Sequence, residues 1–103
     1  MARVVWSPQA RDDLREIVLF IKRDSPTYAS VMGHRITRAT RRLAEFPRSG
    51  RIIPEFKLAS VREVVVQSYR VIYEYGGTQV DVLTVVHGAR RLRRSVIRRV
   101  RGQ

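Results

Sequence analysis

The stretch that decides the fold is residues 62–87, which reads REVVVQSYRVIYEYGGTQVDVLTVVH. Valine, isoleucine and tyrosine recur in it with a period of two, a pattern typical of β-strands. The pattern predicts three strands, at residues 62–66, 69–75 and 80–87. Because only Gln67-Ser68 and Gly76-Gly77 are needed as turns between them, we expect an antiparallel sheet with two tight hairpins.

Two-residue turns also predict the register of the sheet, because they pair residues symmetrically about the turn. The predicted pairs are Val66 with Tyr69, Val64 with Val71, Tyr75 with Thr78, and Tyr73 with Val80. In this register Leu83 lies opposite Arg70. His87 then lies on the order of 13 Å further along the strand, at about 3.3 Å per residue.

The same register divides the side chains between two faces of the sheet. One face is apolar and is expected to pack on helices; it comprises Val64, Val66, Val71, Tyr73, Val80, Val82 and Val86. The other face mixes apolar and charged side chains; it comprises Glu63, Val65, Arg70, Ile72, Glu74, Asp81, Leu83, Val85 and His87. A half-apolar, half-charged open sheet face indicates a binding surface.

Two amphipathic helices are predicted before the sheet. Ser7-Pro8 and Ser25-Pro26 each supply an N-cap serine followed by proline at the first helical position. Apolar residues then recur at helical spacing, first at Ala10, Leu14, Ile17, Val18 and Ile21, and later at Ala29, Met32, Ile36, Ala39, Leu43 and Phe46. The first helix should end near Asp24, and Pro47 with Gly50 closes the second. Such a short connection predicts an antiparallel helical hairpin.

The predicted fold class is therefore α+β. It has a short N-terminal strand at residues 3–6, an antiparallel helical hairpin packed on a three-stranded antiparallel sheet, and a basic C-terminal helix or tail. We assign residues 1–92 to one domain and residues 93–103 to an arginine-rich C-terminal extension. Seven arginines lie within residues 90–101, among helically spaced Leu92, Val96, Ile97 and Val100. This stretch could dock on the core, bind an anionic partner, or become ordered only with that partner.

The composition restricts the class of protein. The net charge of the 103 residues is +12 and comes almost entirely from arginine. Arginine suits bidentate contact with carboxylates and phosphates, which points to an acidic partner, although a solvated basic surface is the alternative. The absence of cysteine excludes disulfides and thiolate metal sites. We see no targeting segment, membrane span, metal site or glycine-rich phosphate loop, and expect a cytoplasmic protein without a cofactor or membrane partner.

A set of short motifs, in their order and spacing, resembles the RelE/ParE toxins of type II toxin–antitoxin systems. The motifs are Trp6-Ser7-Pro8-Gln9-Ala10, Asp13-Leu14 with Ile17, Leu43 with Phe46-Pro47, Gly50-Arg51, Arg62-Glu63, Tyr69-Arg70-Val71-Ile72-Tyr73, and Val86-His87-Gly88-Ala89-Arg90. The resemblance covers roughly residues 4–92. It implies a toxin neutralised by a cognate antitoxin, expected to be acidic and of the ribbon-helix-helix type, whose C-terminal segment folds on the toxin.

The superfamily contains two branches with different mechanisms. RelE-like toxins cleave messenger RNA on the ribosome, and ParE-like toxins inhibit DNA gyrase. RNA cleavage without a metal requires a base, an acid and cations around the phosphate, and the candidates here are Arg70, His87 and Arg90. RelE-like enzymes carry alternating lysines on the first sheet strand, whereas this chain has Arg62 followed by Glu63. The resemblance therefore favours the ParE-like branch, with DNA gyrase as the target and no catalytic residues. A ribosome-dependent endoribonuclease is the alternative, and a nucleic-acid-binding module driven by the arginine tail is a third hypothesis.

The residues expected to bind the antitoxin or the target lie on the mixed face, at the second hairpin and after the last strand. They are Arg62, Arg70, Tyr75, Leu83, Val85, His87, Arg90 and Arg91. An unpaired charge in a central strand is costly, so the alternative for Arg70 is an ion pair with Glu63, Glu74 or Asp81. The arginines of the second helix, Arg35, Arg38, Arg41 and Arg42, form a solvated face that also offers an acidic antitoxin charge beside apolar anchors.

Overall fold

The computed structural model describes residues 1–95 and Arg98, and shows two helices packed on a five-stranded sheet. The strands are β1 (Arg3–Trp6), β2 (Arg51–Ile52), β3 (Val61–Val66), β4 (Tyr69–Tyr75) and β5 (Gln79–His87), and the helices are α1 (Pro8–Lys22) and α2 (Pro26–Arg42). The strand order is β1-β5-β4-β3-β2, with β1 parallel to β5 and all other neighbours antiparallel. The α+β class is confirmed, and the three predicted strands form the middle of a wider sheet.

Both helices begin at the serine-proline signals. The Ser7 hydroxyl accepts a hydrogen bond from the Ala10 N–H at 3.0 Å, and the Ser25 hydroxyl accepts one from the Tyr28 N–H at 3.1 Å. The chain leaves the helical conformation after Arg42, so Phe46 falls outside the predicted stripe and is 51% exposed. No helix within the described residues is long and apolar enough to span a bilayer.

The first hairpin has the predicted register. The observed pairs include Val66 with Tyr69 and Val64 with Val71. Gln67 occupies the left-handed region with φ of 55°, a conformation that is uncommon for a residue other than glycine. A two-residue turn therefore forms here without glycine.

The second hairpin differs from the prediction by two residues. Tyr75 pairs with Val80 and Tyr73 pairs with Val82, so the predicted pairs of Tyr75 with Thr78 and of Tyr73 with Val80 are wrong. The loop is longer than a two-residue turn because Gly76-Gly77 accommodates several loop geometries and does not fix the loop length. The Tyr75 hydroxyl donates to the Gly77 carbonyl at 3.1 Å within this longer loop.

A β-bulge in β5 then changes the faces that its last residues present. Tyr73 pairs with Val82 and Ile72 pairs with Thr84, which leaves Leu83 as an extra residue in β5. One extra residue moves every later side chain to the opposite face. Three predicted faces are consequently reversed: Val85 and His87 lie on the helix side, and Val86 lies on the other side.

Polar groups of the first helix and its cap hold the bulge in place. The Asp13 carboxylate accepts hydrogen bonds from the Thr84 hydroxyl and from the Val85 N–H, the latter at 3.0 Å. The Ser7 hydroxyl donates to the Leu83 carbonyl at 2.9 Å. Backbone groups that the bulge removes from regular strand pairing are thereby satisfied from α1.

The mixed face of the sheet is covered, contrary to the expectation of an open surface. The chain crosses it twice, after β2 and again after β5. The resulting cluster consists of Ile53, Phe56, Val61, Ile72, Leu83, Val86 and Leu92, each at most 5% exposed. The sheet therefore has a core on each side, since the helices cover the other face. The predicted helical spacing of Val96, Ile97 and Val100 concerns residues outside those described.

Candidate functional site

Arg70 is the centre of a network of four charged side chains on the mixed face. Its Nε donates to Glu63 at 2.5 Å, and its Nη1 and Nη2 donate to the two carboxylate oxygens of Glu55, both at 3.1 Å. The other oxygen of Glu63 accepts from the Arg51 Nε at 2.5 Å. Two arginines thus meet two glutamates, and their formal charges cancel.

The sheet register brings these groups together. Arg51 pairs with Glu63 between β2 and β3, and Arg70 on β4 lies one diagonal step away on the same face. Arg70 is 7% exposed and Glu63 is 1% exposed, and charges buried to this degree require partners. Of the three carboxylates proposed from sequence, Glu63 is the one that binds Arg70. Glu55 lies in an irregular segment where no periodic pattern indicated its role.

Hydrogen bonding keeps this network charged. The bond from Arg70 lowers the pKa of Glu55, an effect that partial burial opposes and that the Leu92 backbone N–H reinforces. Burial alone would lower the pKa of Arg70, but hydrogen bonds to Glu55 and Glu63 outweigh it and raise that pKa. The positive charge of Arg70 is therefore compensated inside the chain.

We expect Glu55 to make the stability of the toxin sensitive to acid. Its folded-state pKa lies below the ordinary value of 4.5. The ion pair therefore stabilises the fold fully above that ordinary value, and the contribution is lost as the pH falls through the folded-state pKa. The melting temperature of Glu55→Gln should lie below that of the wild type at neutral pH and approach it towards pH values of about 3. Thermal denaturation across this pH range tests the prediction, and Glu45→Gln, at an exposed site, is the control. If the melting temperatures of the wild type and of Glu55→Gln differed by the same amount at every pH, the prediction would be contradicted.

His87 lies on the opposite side of the sheet from Arg70. The register pairs His87 with Tyr69 and Val86 with Arg70, so the predicted separation along the strand is wrong. Adjacent strand residues point to opposite faces, which places His87 on the helix side. There its ring meets Tyr69 edge-on at 5.7 Å between centroids, and its Nδ1 accepts from the Ala89 N–H at 3.1 Å. Arg70 and His87 cannot act together on one phosphodiester, because the sheet lies between them.

Two of the predicted binding residues lie at one end of the sheet. Arg62 donates to the Gly50 carbonyl at 3.0 Å, which ties β3 to the loop before β2. The Arg48 guanidinium lies 4.9 Å from the centre of the Tyr75 ring, a cation–π contact. Arg62 and Tyr75 are both half-buried and are engaged within the fold.

The remaining predicted binding residues lie elsewhere in the fold. Those at the other end of β4 are His87, Arg90 and Arg91, and all three are exposed. At about 3.3 Å per residue, the seven-residue strand separates the two ends by roughly 20 Å. Leu83 and Val85 are core residues, 4% and 3% exposed. The eight predicted residues therefore do not form a single surface.

A groove of about 420 Å³ opens beside His87, between α1 and the end of β5. Its residues are Asp13, Glu16, Ile17, Phe20, Tyr69, Val85, Val86, His87 and Arg90. Phe20 is 63% exposed at its margin. A largely apolar lining that also includes Asp13 and Glu16 fits a protein side chain better than a phosphate.

A second groove follows the outer face of the helical hairpin. We define this hairpin groove by two adjoining cavities of about 400 and 370 Å³, which share Leu14, Val18 and Thr37. Its rim carries the arginines Arg11, Arg15, Arg38 and Arg41, and its lining residues, all within 6–41, include no carboxylate. Gly33 brings the two helices close, since a Cβ there would lie 3.4 Å from Val18 Cγ2. Of these four arginines, Arg38 and Arg41 were predicted from the sequence as a possible antitoxin contact.

Comparison with known proteins identifies the family. Residues 4–92 match the family described as the ParE toxin of the type II toxin–antitoxin system parDE. The chain belongs to the ParE toxin family. This ParE-family chain is 37% identical over 91 residues to toxin RelE2 of Caulobacter vibrioides, covering 87% of the chain and 99% of the relative. It is 36% identical over 86 residues to the putative toxin Y4kP of Sinorhizobium fredii, covering 82% of the chain and 86% of the relative.

The fold of this ParE-family toxin also matches a solved structure, described as the chromosomal ParDE TA system from P. aeruginosa. The TM-score is 0.70 with 18% sequence identity, and the match covers 84% of this chain and 96% of the solved one. At this identity the match concerns the fold alone. Family membership makes the chain the toxin of a type II toxin–antitoxin system, with a cognate antitoxin as its partner. Among the described residues, no three histidine, cysteine, aspartate or glutamate side chains form a group that could hold a metal ion.

Proposed function

We propose that this ParE-family toxin inhibits DNA gyrase through protein contacts and has no nuclease activity. The absence of nuclease activity is carried by the binding of Arg70 by Glu63 and Glu55, with His87 on the other face of the sheet, and the gyrase target rests on membership of the ParE toxin family. RNA cleavage without a metal needs an acid, a base and uncompensated cations around one phosphate. In this chain the strand arginine is neutralised and the histidine is separated from it.

Glu63 contributes to this argument in two ways. It lies on the strand where an RNA-cleaving sheet of the superfamily is expected to present cations, and its buried carboxylate offers a phosphate no positive charge there. It also draws the Arg70 guanidinium into the covered face, where the side chain is 8% exposed. Of the three nuclease candidates, only His87 and Arg90 remain accessible.

The direct test is a supercoiling assay with purified gyrase and purified toxin. We expect supercoiling to stop when toxin is present in molar excess, and to resume when the cognate antitoxin is added in equal amount. Undiminished supercoiling at a large excess of folded toxin would refute the proposal. Such a target would also place the toxin in the cytoplasm, as expected from the sequence.

The alternative function is that of a ribosome-dependent endoribonuclease, and the similarity to a relative named toxin RelE2 favours testing it. The mechanism expected from the sequence uses Arg70 and Arg90 to bind the phosphate and His87 as acid or base. The sheet separates Arg70 from His87, so this alternative would depend on Arg90, which lines the same groove as His87. Primer extension on translated messages, in cells that express the toxin, would then show cuts at defined codon positions. We expect no such cuts.

We further propose that the antitoxin binds the hairpin groove through an acidic amphipathic segment. Apolar side chains of such a segment would fill the space above Leu14 and Val18, and its carboxylates would meet the arginine rim. An antitoxin of the ribbon-helix-helix type would supply this segment from its C-terminal part, which folds on binding. The basic rim and apolar floor together support this partner chemistry.

Charge reversal on the groove rim is expected to weaken antitoxin binding. Arg38→Glu combined with Arg41→Glu places two repulsive charges beside the carboxylates of the antitoxin, and should raise the Kd about tenfold or more. Isothermal titration calorimetry with the cognate antitoxin measures this. The control reverses Arg35 and Arg42, which lie on the same helix outside the groove and are also exposed. Equal losses for the two double variants would show that overall charge, and not the groove, is recognised.

A further inference from the structure

The last described part of the chain presents a dense row of exposed arginines. We define residues 88–95 as the arginine segment; its arginines are Arg90, Arg91, Arg93 and Arg94, and all four are exposed. In the described part of the chain none of them forms an ion pair with a carboxylate. The sequence contains no acidic residue after Asp81. The positive charge of this segment is therefore not compensated locally.

The backbone of the arginine segment is fastened to the sheet. Leu92 is 4% exposed and packs into the core cluster on the mixed face. The Gly88 N–H donates to the Ser68 carbonyl at 2.6 Å, and the Arg70 Nη1 donates to the Arg90 carbonyl at 3.5 Å. Because the backbone is held before any ligand arrives, binding would order only the arginine side chains, which lowers its entropic cost.

Arg70 also neutralises a carboxylate that lies beside these arginines. A shallow cavity of about 440 Å³ beside the segment is lined by Glu55, Phe56, Arg91, Leu92, Arg93 and Arg94. Both oxygens of Glu55 accept hydrogen bonds from Arg70, at 3.1 Å. The one carboxylate of this cavity is thus already neutralised, and the three arginines are free to bind an external anion.

The surface chemistry favours nucleic acid over a protein partner. Hot spots of protein interfaces combine arginine with tryptophan and tyrosine; the arginine segment has neither aromatic residue, and its only large apolar residue, Leu92, is buried. Single-stranded nucleic acid is held by stacking on aromatic rings, and the segment contains no phenylalanine, tyrosine or tryptophan. A duplex backbone requires neither, because phosphate contacts from arginine dominate its affinity.

We propose that the arginine segment binds the phosphate backbone of duplex DNA. The choice of DNA rests on the proposed function, because gyrase holds duplex DNA and a toxin at that enzyme would lie next to it. The binding itself is a property of the toxin alone. It can therefore be measured without gyrase, so that this proposal and the proposed function can fail separately.

The test measures the affinity of the full-length toxin for a labelled duplex by fluorescence anisotropy, at salt concentrations from about 50 to 200 mM. Contacts from four arginines predict a slope of log affinity against log salt of about −3.6 or steeper, at about 0.9 per phosphate. Removing Arg91, Arg93 and Arg94 by substitution with alanine should reduce the slope by about 2.7. Circular dichroism establishes that the variant is folded.

The matched control replaces Arg3, Arg35 and Arg42 with alanine, which changes the net charge equally at exposed sites elsewhere. This control should retain the wild-type slope. If its slope falls as much as that of the segment variant, binding depends on net charge and the proposal is overturned. Tighter binding to a single strand of the same sequence would overturn the assignment to duplex. Equal competition by polyglutamate of matched charge would overturn the assignment to nucleic acid. Duplex binding through the segment without gyrase inhibition would support this proposal and refute only the proposed function.

Discussion

Glu63→Leu is expected to lower the free energy of unfolding by about 3 kcal/mol, because it breaks a buried ion pair from one side. Arg70 would keep Glu55 as a partner, but its Nε, which now donates to Glu63, would be left without an acceptor in the core. Leaving a buried charge partly uncompensated costs about 3–5 kcal/mol, and the remaining bond to Glu55 places the expected loss near the lower end. Chemical denaturation monitored by circular dichroism measures the change.

The double variant Glu63→Leu with Arg70→Met provides the matched control. Removing both charges leaves two apolar side chains of similar size opposite Ile72 and Val86, and buried pairs replaced in this way are often neutral in stability. We therefore expect the double variant to recover most of the stability lost in Glu63→Leu. A double variant as unstable as the sum of the two single variants would mean that the charges act independently, and would contradict this account.

Gly50→Ala is expected to destabilise the fold by about 2–3 kcal/mol through overpacking. A Cβ at this position would lie 2.6 Å from the Tyr73 Oη and 2.7 Å from the Glu63 carbonyl oxygen, distances at which neighbouring atoms must move. Neither can move easily. The Tyr73 hydroxyl accepts from the Gly50 N–H at 2.9 Å and donates to the Pro47 carbonyl at 2.7 Å. Burial of this ring also raises the pKa of Tyr73, which favours the protonated hydroxyl that donates to Pro47.

Gly76→Ala is the control for this substitution. A Cβ at Gly76 would meet nothing within 4 Å, so the variant should have nearly wild-type stability. The midpoints of urea denaturation of the two variants give the comparison. If Gly50→Ala and Gly76→Ala were equally stable, close packing at Gly50 would not be required. The loop before β2, which contains Gly50, would then be able to move away from Tyr73.

The two faces of the sheet carry different parts of the proposed function. The helix side offers the hairpin groove and the groove beside His87, both of which fit protein partners. The mixed face holds the Arg70 network and the fastened arginine segment, which fits a phosphate backbone. Arg70 joins the sheet to the last described residues through its bonds to Glu63 and to the Arg90 carbonyl, which is a structural role.

The elements of the fold could be predicted from the sequence because each depends on local chemistry. Ser7-Pro8 and Ser25-Pro26 specify helix starts through hydrogen bonds that span three residues. The alternation of valine and tyrosine identifies β3 and β4 to within one residue, and Gln67-Ser68 gives the correct register. The motifs that resemble RelE/ParE toxins also identified the family, which the match over residues 4–92 confirms.

The arrangement of the site required the tertiary structure. The register of β5 depends on a bulge held by Asp13, which is 72 residues from Val85 in sequence, so no local pattern indicates it. That bulge decides that Val85 packs under the helices and that His87 lies apart from Arg70. The neutralisation of Arg70 depends on Glu55, in a segment without periodicity. The sequence alone thus determined the helices and the central strands, because caps and residue periodicity are local signals. It also determined the family, because the family motifs keep their order and spacing along the chain. Only tertiary contacts decided which charges meet and which faces stay open, because those contacts join residues that are distant in sequence.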